Sequence, residues 1–70
     1  MRLTYNRMDH QAYLYIADPI ENGTAVRQEV TEKDGLILDF DASGHLLGIE
    51  FLSPETQLRA DTLEKADSKE

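Results

Sequence analysis

Clusters of turn-forming residues divide this chain into short pieces, and the positions of these predicted turns limit the fold more than any other feature. The clusters lie at Asp18-Pro19 with Asn22-Gly23, at residues 32–35 and at residues 41–44. Pro and Gly supply the backbone angles that turns need, and Asp and Asn hydrogen-bond to the turn backbone. The pieces between the clusters have strand length, so the pattern predicts short strands joined by tight turns.

Five such pieces are predicted as strands, and they cover residues 2–5, 11–17, 24–31, 36–40 and 45–52. Short strands with tight turns between them favour an antiparallel β-meander. In the second piece Ala12, Leu14 and Ile16 alternate with Tyr13 and Tyr15, so it is apolar on both sides. That pattern is typical of a central strand that is covered on both faces.

The last two strands allow a prediction of register. With residues 41–44 as the loop, Phe40 lies opposite His45 and Leu38 lies opposite Leu47. One face then collects large apolar side chains, whereas a slip by one residue would mix apolar and acidic side chains on both faces. Gly48 leaves a gap on the other face, which indicates a close backbone approach or a group packed over it.

The C-terminal part is predicted to begin as a short helix. Ser53 suits the N-cap, Pro54 the first helical position and Glu55 the first turn. From residue 61 onward the composition is mostly charged, which is typical of a frayed end. We therefore expect an α+β fold: one compact domain over residues 1–60, with about five strands and a short helix, and a charged tail over residues 61–70.

Composition narrows the classes of partner. Fourteen Asp and Glu against seven Lys and Arg give a net charge of -7. This charge argues against binding to nucleic acid or to anionic membrane surfaces, because both attract basic proteins. No apolar stretch approaches the roughly 18–20 residues that span a bilayer, and the N-terminus does not resemble a signal peptide, so we expect a cytoplasmic protein. The absence of cysteine excludes disulfides and thiolate chemistry.

The small size predicts a shared interface. A chain of this length buries only about 60% of its unfolded surface, and 40% of its 70 residues are hydrophobic. A thin C-terminal helix is a poor cover for a strand that is apolar on both sides. We therefore expect a homo-oligomer, with a dimer favoured.

One stretch matches the spacing of an EF-hand calcium loop. Asp39, Asp41, Ser43, Gly44 and Glu50 occupy the first, third, fifth, sixth and twelfth positions. The flanks argue against a helix on either side, and the expected register separates the carboxylates of Asp39 and Glu50 by about 13 Å. Solvated turn carboxylates are the preferred interpretation. A divalent-metal or small-ligand site formed by Asp39, Asp41, His45 and Glu50 is the alternative.

The remaining candidates for chemistry are few. His10 beside Asp9 suggests a base oriented by a carboxylate, but neighbouring residues rarely face each other, and no nucleophile is placed by a motif. Tyr5, Tyr13 and Tyr15 form the aromatic group; the second strand lacks the interleaved basic residues of a single-stranded nucleic-acid platform, so the three are interpreted as packing residues. We therefore assign no catalytic residue, no metal ligand and no cofactor.

Several motifs together resemble the family called domain of unknown function 2283, whose members are small and mostly bacterial. The resemblance covers roughly residues 1–53, and its most specific part is an Asp-x-Asp-x-x-Gly-x-Leu-x-Gly-Ile-Glu stretch, here residues 39–50. It implies a compact α+β or mostly-β domain with no known cofactor and no established catalytic residue. Members often have Asp where this chain has Asn6 and His10, so those carboxylates have no counterpart here.

These observations lead to one expected function. The chain is predicted to be a non-enzymatic protein-interaction module that self-associates and that offers an acidic surface to a basic protein. The alternative is a module that binds a metal ion or a small ligand at the Asp39/Asp41/Glu50 turn region.

Overall fold

The structure, a computed structural model, describes residues 1–69. Its elements are β1 (Arg2–Asn6), β2 (Gln11–Tyr15), β3 (Arg27–Thr31), β4 (Leu36–Phe40), β5 (Leu46–Phe51), α1 (Pro54–Gln57), α2 (Ala60–Lys65) and β6 (Asp67–Ser68). The strands form one sheet in the order β3-β4-β5-β2-β1-β6, antiparallel except for the β1–β6 pair. The predicted α+β class is therefore confirmed.

The order of the strands is more complex than a simple meander. Neighbouring strands follow the chain within β1–β2 and within β3–β4–β5, but β5 lies beside β2. This arrangement places β5 and β2 at the centre of the sheet, with Leu14 opposite Ile49. The prediction that the second strand is central is confirmed, because β2 lies between β5 and β1.

The predicted register of the last hairpin is wrong by two residues. Leu38 lies opposite Ile49 rather than Leu47, and Phe40 lies opposite Leu46 across a β-bulge. Away from the bulge, the shift of two residues leaves each side chain on the face predicted for it, because side chains alternate with a period of two. At the bulge the partner of Phe40 shifts by only one residue, from His45 to Leu46. The hydrophobic pattern therefore selects the face but cannot distinguish between these two registers.

The register divides the side chains of the sheet between two faces. We call one the apolar face; it carries Leu3, Tyr5, Ala12, Leu14, Leu36, Leu38, Phe40, Ile49 and Phe51. We call the other the tyrosine face; it carries Thr4, Tyr13, Tyr15, Gln28, Val30, Ile37, Asp39, Gly48 and Glu50. Ala12 is buried, and so is Leu47, which lies two residues before Ile49 on β5, whereas the other side chains of the apolar face keep part of their surface in contact with solvent.

Helix α1 begins where the sequence predicts but is held by a different side chain. Ser53 occupies the N-cap position without a capping hydrogen bond from its hydroxyl. Gln57 Oε1 instead accepts the Ser53 N–H at 2.9 Å. Gln57 Nε2 donates to the carbonyls of Asp34 and Gly35 at 2.6 and 2.8 Å, which fixes α1 against the β3–β4 turn.

Helix α1 contacts both the β3–β4 turn and β1, and α2 lies beside β1. Pro54 is fully buried, and the hydroxyl of Tyr5 donates to Glu55 of α1. Leu3 and Tyr5 each line a cleft together with residues of α2. Within residues 1–69, neither helix is long and apolar enough to cross a membrane.

The chain continues with regular structure over the stretch for which the composition predicts a frayed tail. Helix α2 runs to Lys65, and β6 pairs in parallel with β1, with Asp67 opposite Thr4. The Lys69 N–H donates to the carbonyl of Tyr5 at 3.1 Å. The last position of that predicted tail, residue 70, lies outside the described residues.

Candidate functional site

A chain of polar side chains crosses the tyrosine face from β3 to β2. Tyr13 Oη donates to Asp39 Oδ2 at 2.6 Å, and Gln28 Nε2 donates to Asp39 Oδ1 at 2.8 Å. Burial raises the pKa of Tyr13, and the hydrogen bond to Asp39 adds to the rise. Tyr13 is therefore a neutral donor at ordinary pH, and both oxygens of the Asp39 carboxylate are occupied.

Gly48 makes this arrangement possible. It lies on β5 between Tyr13 and Asp39, opposite Tyr15 on one side and Asp39 on the other. A Cβ at this position would lie 2.6 Å from Tyr13 Cζ and closer still to its hydroxyl oxygen. The group that packs over the predicted gap is the Tyr13 ring, so the glycine is a steric requirement of the Tyr13–Asp39 hydrogen bond.

The carboxylate of Asp41 stabilises its own turn. Oδ1 accepts the backbone N–H groups of Ser43 and His45, both at 2.9 Å. The N–H of His45 is the main cause that lowers the pKa of Asp41. The imidazole of His45 lies at the surface, with Nδ1 3.4 Å from Asp41 Oδ2. The turn therefore uses the acidic residue that the calcium-loop pattern would assign to an ion.

Glu50 lies nearer to Asp39 than the sequence predicts. In the observed register Glu50 is opposite Ile37 and Asp39 is opposite Gly48, so the two residues are two positions apart along the hairpin. That separation is about 7 Å rather than about 13 Å, and both side chains are on the tyrosine face. Asp39 is nevertheless held by Tyr13 and Gln28. Within residues 1–69, no three His, Asp or Glu side chains are grouped so that they could hold a metal ion.

His10 has a different partner from the one its sequence neighbours suggest. Its Nδ1 lies 3.1 Å from Glu55 Oε2, which also accepts the Tyr5 hydroxyl at 2.5 Å. The Tyr5 hydroxyl is the main cause that lowers the pKa of Glu55. Asp9 instead pairs with Asn6, through its backbone N–H at 3.0 Å and its carboxylate at 3.1 Å. No sequence signal connects His10 with Glu55, because 45 residues separate them.

Tyr15 lies among cations at the β1 side of the tyrosine face. The Arg2 guanidinium is 4.2 Å from the ring centroid, and Lys69 Nζ donates to the Tyr15 hydroxyl at 2.9 Å. Tyr13 meets the same ring edge-on, with centroids 4.7 Å apart. Arg2 also contacts both carboxylate oxygens of Asp18. The contacts of Tyr15 agree with its interpretation as a packing residue, with its hydroxyl at the edge, whereas the hydroxyl of Tyr13 reaches the buried Asp39.

Strand β3 is the long open edge of the sheet. Arg27, Gln28, Glu29 and Val30 are all exposed, and β3 has a neighbouring strand on one side only within residues 1–69. Arg27 forms an ion pair with Glu29 of the same strand and lies 4.1 Å above the Phe40 ring centroid. The opposite edge is β6, which is two residues long. Of the two edge strands, β3 is therefore the longer one, and it has the longer row of backbone N–H and carbonyl groups along the edge of the sheet.

A family model described as "Protein of unknown function (DUF2283)" matches residues 2–53 of this 70-residue chain. The chain belongs to the DUF2283 family. The match covers β1 to β5 and ends just before α1, in agreement with the resemblance carried by residues 39–50. No curated protein and no solved structure matches the chain.

Proposed function

We propose that this DUF2283 protein is a non-enzymatic cytoplasmic module that self-associates as a dimer and acts by binding protein. The observation that carries the proposal is the poor cover of the apolar face. Leu14, Leu38, Phe40 and Ile49 point to one side of the sheet, yet each stays partly exposed. Burial of such side chains is the main source of folding free energy, so a second chain has a favourable surface to cover.

The dimensions of the chain agree with this proposal. Its Cα atoms extend over 34 × 27 × 17 Å, so the shortest dimension has room for one sheet and a thin layer of helix. A stable interface buries about 800 Å² per partner. That is about a sixth of the 4936 Å² that one chain exposes.

The polar contacts favour a binding module over an enzyme. Asp39 accepts two side-chain donors, and Asp41 accepts two backbone donors in its own turn. Glu55 accepts the Tyr5 hydroxyl beside His10. Each of these carboxylates accepts hydrogen bonds that hold the fold, and it would have to give them up in order to act in catalysis.

Sedimentation velocity over a range of micromolar concentrations tests the self-association. We expect the weight-average sedimentation coefficient to rise from the monomer value to the dimer value as the concentration increases. A coefficient that stays at the monomer value throughout would contradict the proposed dimer.

A parallel experiment addresses the alternative metal site at Asp39, Asp41, His45 and Glu50. A specific divalent ion at 100 times its Kd would raise the free energy of unfolding by about 2.7 kcal/mol. We expect calcium, magnesium, manganese and zinc to give no saturable stabilisation. A saturable effect that Asp41→Asn abolishes would favour the metal-binding function instead.

The charge supports a basic protein as a further partner. The net charge is -7, so long-range attraction would favour a basic surface. Affinity purification with this chain as bait, at low and at moderate salt, tests the idea. One stoichiometric basic protein that elutes as the salt concentration rises would support it, and recovery of none would contradict it.

A further inference from the structure

The backbone of β3 presents unpaired groups at the outer edge. The Leu52 N–H donates to the carbonyl of Gly35, so Gly35, Ile37 and Asp39 direct their backbone groups toward β5. The intervening residues of β4 therefore bond to β3, where their partners are Arg27, Glu29 and Thr31. By the same alternation, Gln28 and Val30 direct their N–H and carbonyl groups away from the sheet.

Charged and uncharged side chains alternate along this edge. Val26 is 60% exposed and Val30 is 56% exposed, although both are β-branched residues that pack well in sheets. Arg27 and Glu29 lie on the face opposite to that of Val30 and carry opposite charges. The edge strand is therefore electrically neutral in a chain of net charge -7, which removes a barrier to the approach of an identical edge.

We propose that two copies join at their β3 edges, antiparallel, with Gln28 of one copy opposite Gln28 of the second. The proposal rests on the proposed self-association, and it places the contact at the sheet edge rather than over the apolar face. The two sheets become one continuous sheet across a two-fold axis, and the interface is isologous. The apolar faces of the two copies then lie side by side on the same surface.

Three registers bring the outward backbone groups of β3 together, and they are centred on Gln28, Glu29 or Val30. The register centred on Glu29 places two like carboxylates directly opposite each other, which is unfavourable. The register centred on Val30 pairs Gln28 with Glu32, but Glu32 already lies in the β3–β4 turn. These two registers are therefore the weaker ones.

The register centred on Gln28 brings complementary side chains together. Arg27 lies opposite Glu29 of the second copy, and symmetry repeats this pair. Val26 lies opposite Val30 of the second copy, so both exposed valines gain an apolar neighbour. The Val26 N–H already donates to the Phe40 carbonyl at 3.0 Å, so the shared ladder is short and depends mainly on the Gln28 pair and on side-chain contacts.

Charge reversal tests this interface. We expect Arg27→Glu and Glu29→Arg each to raise the dimer dissociation constant at least about tenfold, because each variant opposes like charges twice across the axis. In an equimolar mixture of the two variants, every Glu at position 27 or 29 faces an Arg. The mixture should therefore form a heterodimer with near wild-type affinity, and the doubly reversed chain should again form a homodimer.

The chain contains a matched control pair. Arg59 and Asp61 form an exposed ion pair two residues apart, as Arg27 and Glu29 do, but on the segment that enters α2. Arg59→Glu and Asp61→Arg change the net charge by the same amounts as the β3 variants. We expect them to leave dimerisation unchanged, with circular dichroism used to verify that every variant is folded.

Single cysteines report the register directly, because the chain has no cysteine of its own. Under mild oxidation Gln28→Cys should cross-link into dimers, whereas Glu29→Cys should cross-link much less. Efficient cross-linking of Glu29→Cys alone would overturn the register centred on Gln28. This measurement also decides the question if a charge-reversed chain fails to fold.

The outcomes separate the interface from the self-association. A wild-type dimer that both reversed variants retain, and that Gln28→Cys does not cross-link, would overturn the β3 interface while the proposed self-association stands. A wild-type chain that stays monomeric at high micromolar concentration would overturn both. Dissociation by the reversed variants with recovery in their mixture supports both.

Discussion

The side chain of Tyr13 connects three strands on the tyrosine face, because it starts on β2, packs over Gly48 of β5 and reaches Asp39 of β4. Its hydroxyl donates to Asp39, a buried carboxylate that also accepts Gln28. We expect Tyr13→Phe to lower the free energy of unfolding by about 2 kcal/mol, because a charge-assisted hydrogen bond is lost and Asp39 keeps part of its desolvation cost. Urea denaturation measures the change.

Tyr15→Phe is the control for this prediction. The Tyr15 hydroxyl meets Lys69 at the surface, so its loss should cost less than about 1 kcal/mol. Equal losses for Tyr13→Phe and Tyr15→Phe would contradict the special role of Tyr13.

Gly48 is expected to be intolerant of any side chain for a steric reason. The added Cβ of Gly48→Ala would overlap the Tyr13 ring, so we expect a loss of about 2 kcal/mol in the free energy of unfolding. In a Tyr13→Ala background the same substitution should cost much less, because the clash is removed. Denaturation of the four chains in this cycle gives the coupling, and additive costs would show that Tyr13 is not the obstacle.

The lowered pKa of Asp41 predicts that the folded chain loses stability in acid. Its pKa is lowered below the ordinary value of 3.8, mainly by the His45 N–H, so the folded state favours the charged carboxylate. This stabilisation is complete above pH 3.8 and is lost as the pH falls through the lower folded pKa. Asp41→Asn should therefore show a smaller decline in unfolding free energy at acidic pH than the wild type.

Asp34→Asn, which removes a carboxylate from another turn, is the comparison for the acid denaturation series. It should retain most of the wild-type decline. If Asp41→Asn and Asp34→Asn respond to acid in the same way, the Asp41 turn does not contribute specifically.

At the scale of elements, the β4–β5 hairpin can be tested by its register. Leu38 and Ile49 are opposite each other, and the Leu52–Gly35 hydrogen bond implies that they form a non-hydrogen-bonded pair, whose Cα atoms lie closest. We expect Leu38→Cys with Ile49→Cys to form a disulfide on oxidation. Leu38→Cys with Leu47→Cys should not form one, and mass spectrometry after trypsin digestion distinguishes the outcomes.

The bounds of the strands and helices also show which parts of the fold could be predicted from the sequence. Strand β4 was predicted with its observed bounds, and the starts of β1, β2 and α1 follow turn and capping signals. The bulge beside Phe40 was not predictable, because alternation of side chains is the same after a shift of two residues. Strand β6 was also missed, since two charged or polar residues carry no strand pattern and pair only because α2 returns the chain to β1.

At the scale of the whole molecule, self-association makes thermal stability depend on concentration. If the folded chain is dimeric and the unfolded chain is not, the melting temperature rises with protein concentration by mass action. We expect calorimetry to show such a rise for the wild type and for Arg59→Glu. A flat melting temperature for the wild type would contradict a dimer coupled to folding.

The sequence alone determined the α+β class, the central place of β2 and the face of the residues of the last hairpin away from its bulge, because these depend on turn chemistry and on a period of two. It also identified the family through residues 39–50. Only the tertiary structure decided that β4 and β5 separate β2 from β3, that Tyr13 covers Gly48 to reach Asp39, and that β3 is left as the open edge. Those features join residues that are far apart in the chain, and the short-range patterns of a sequence do not specify such pairs.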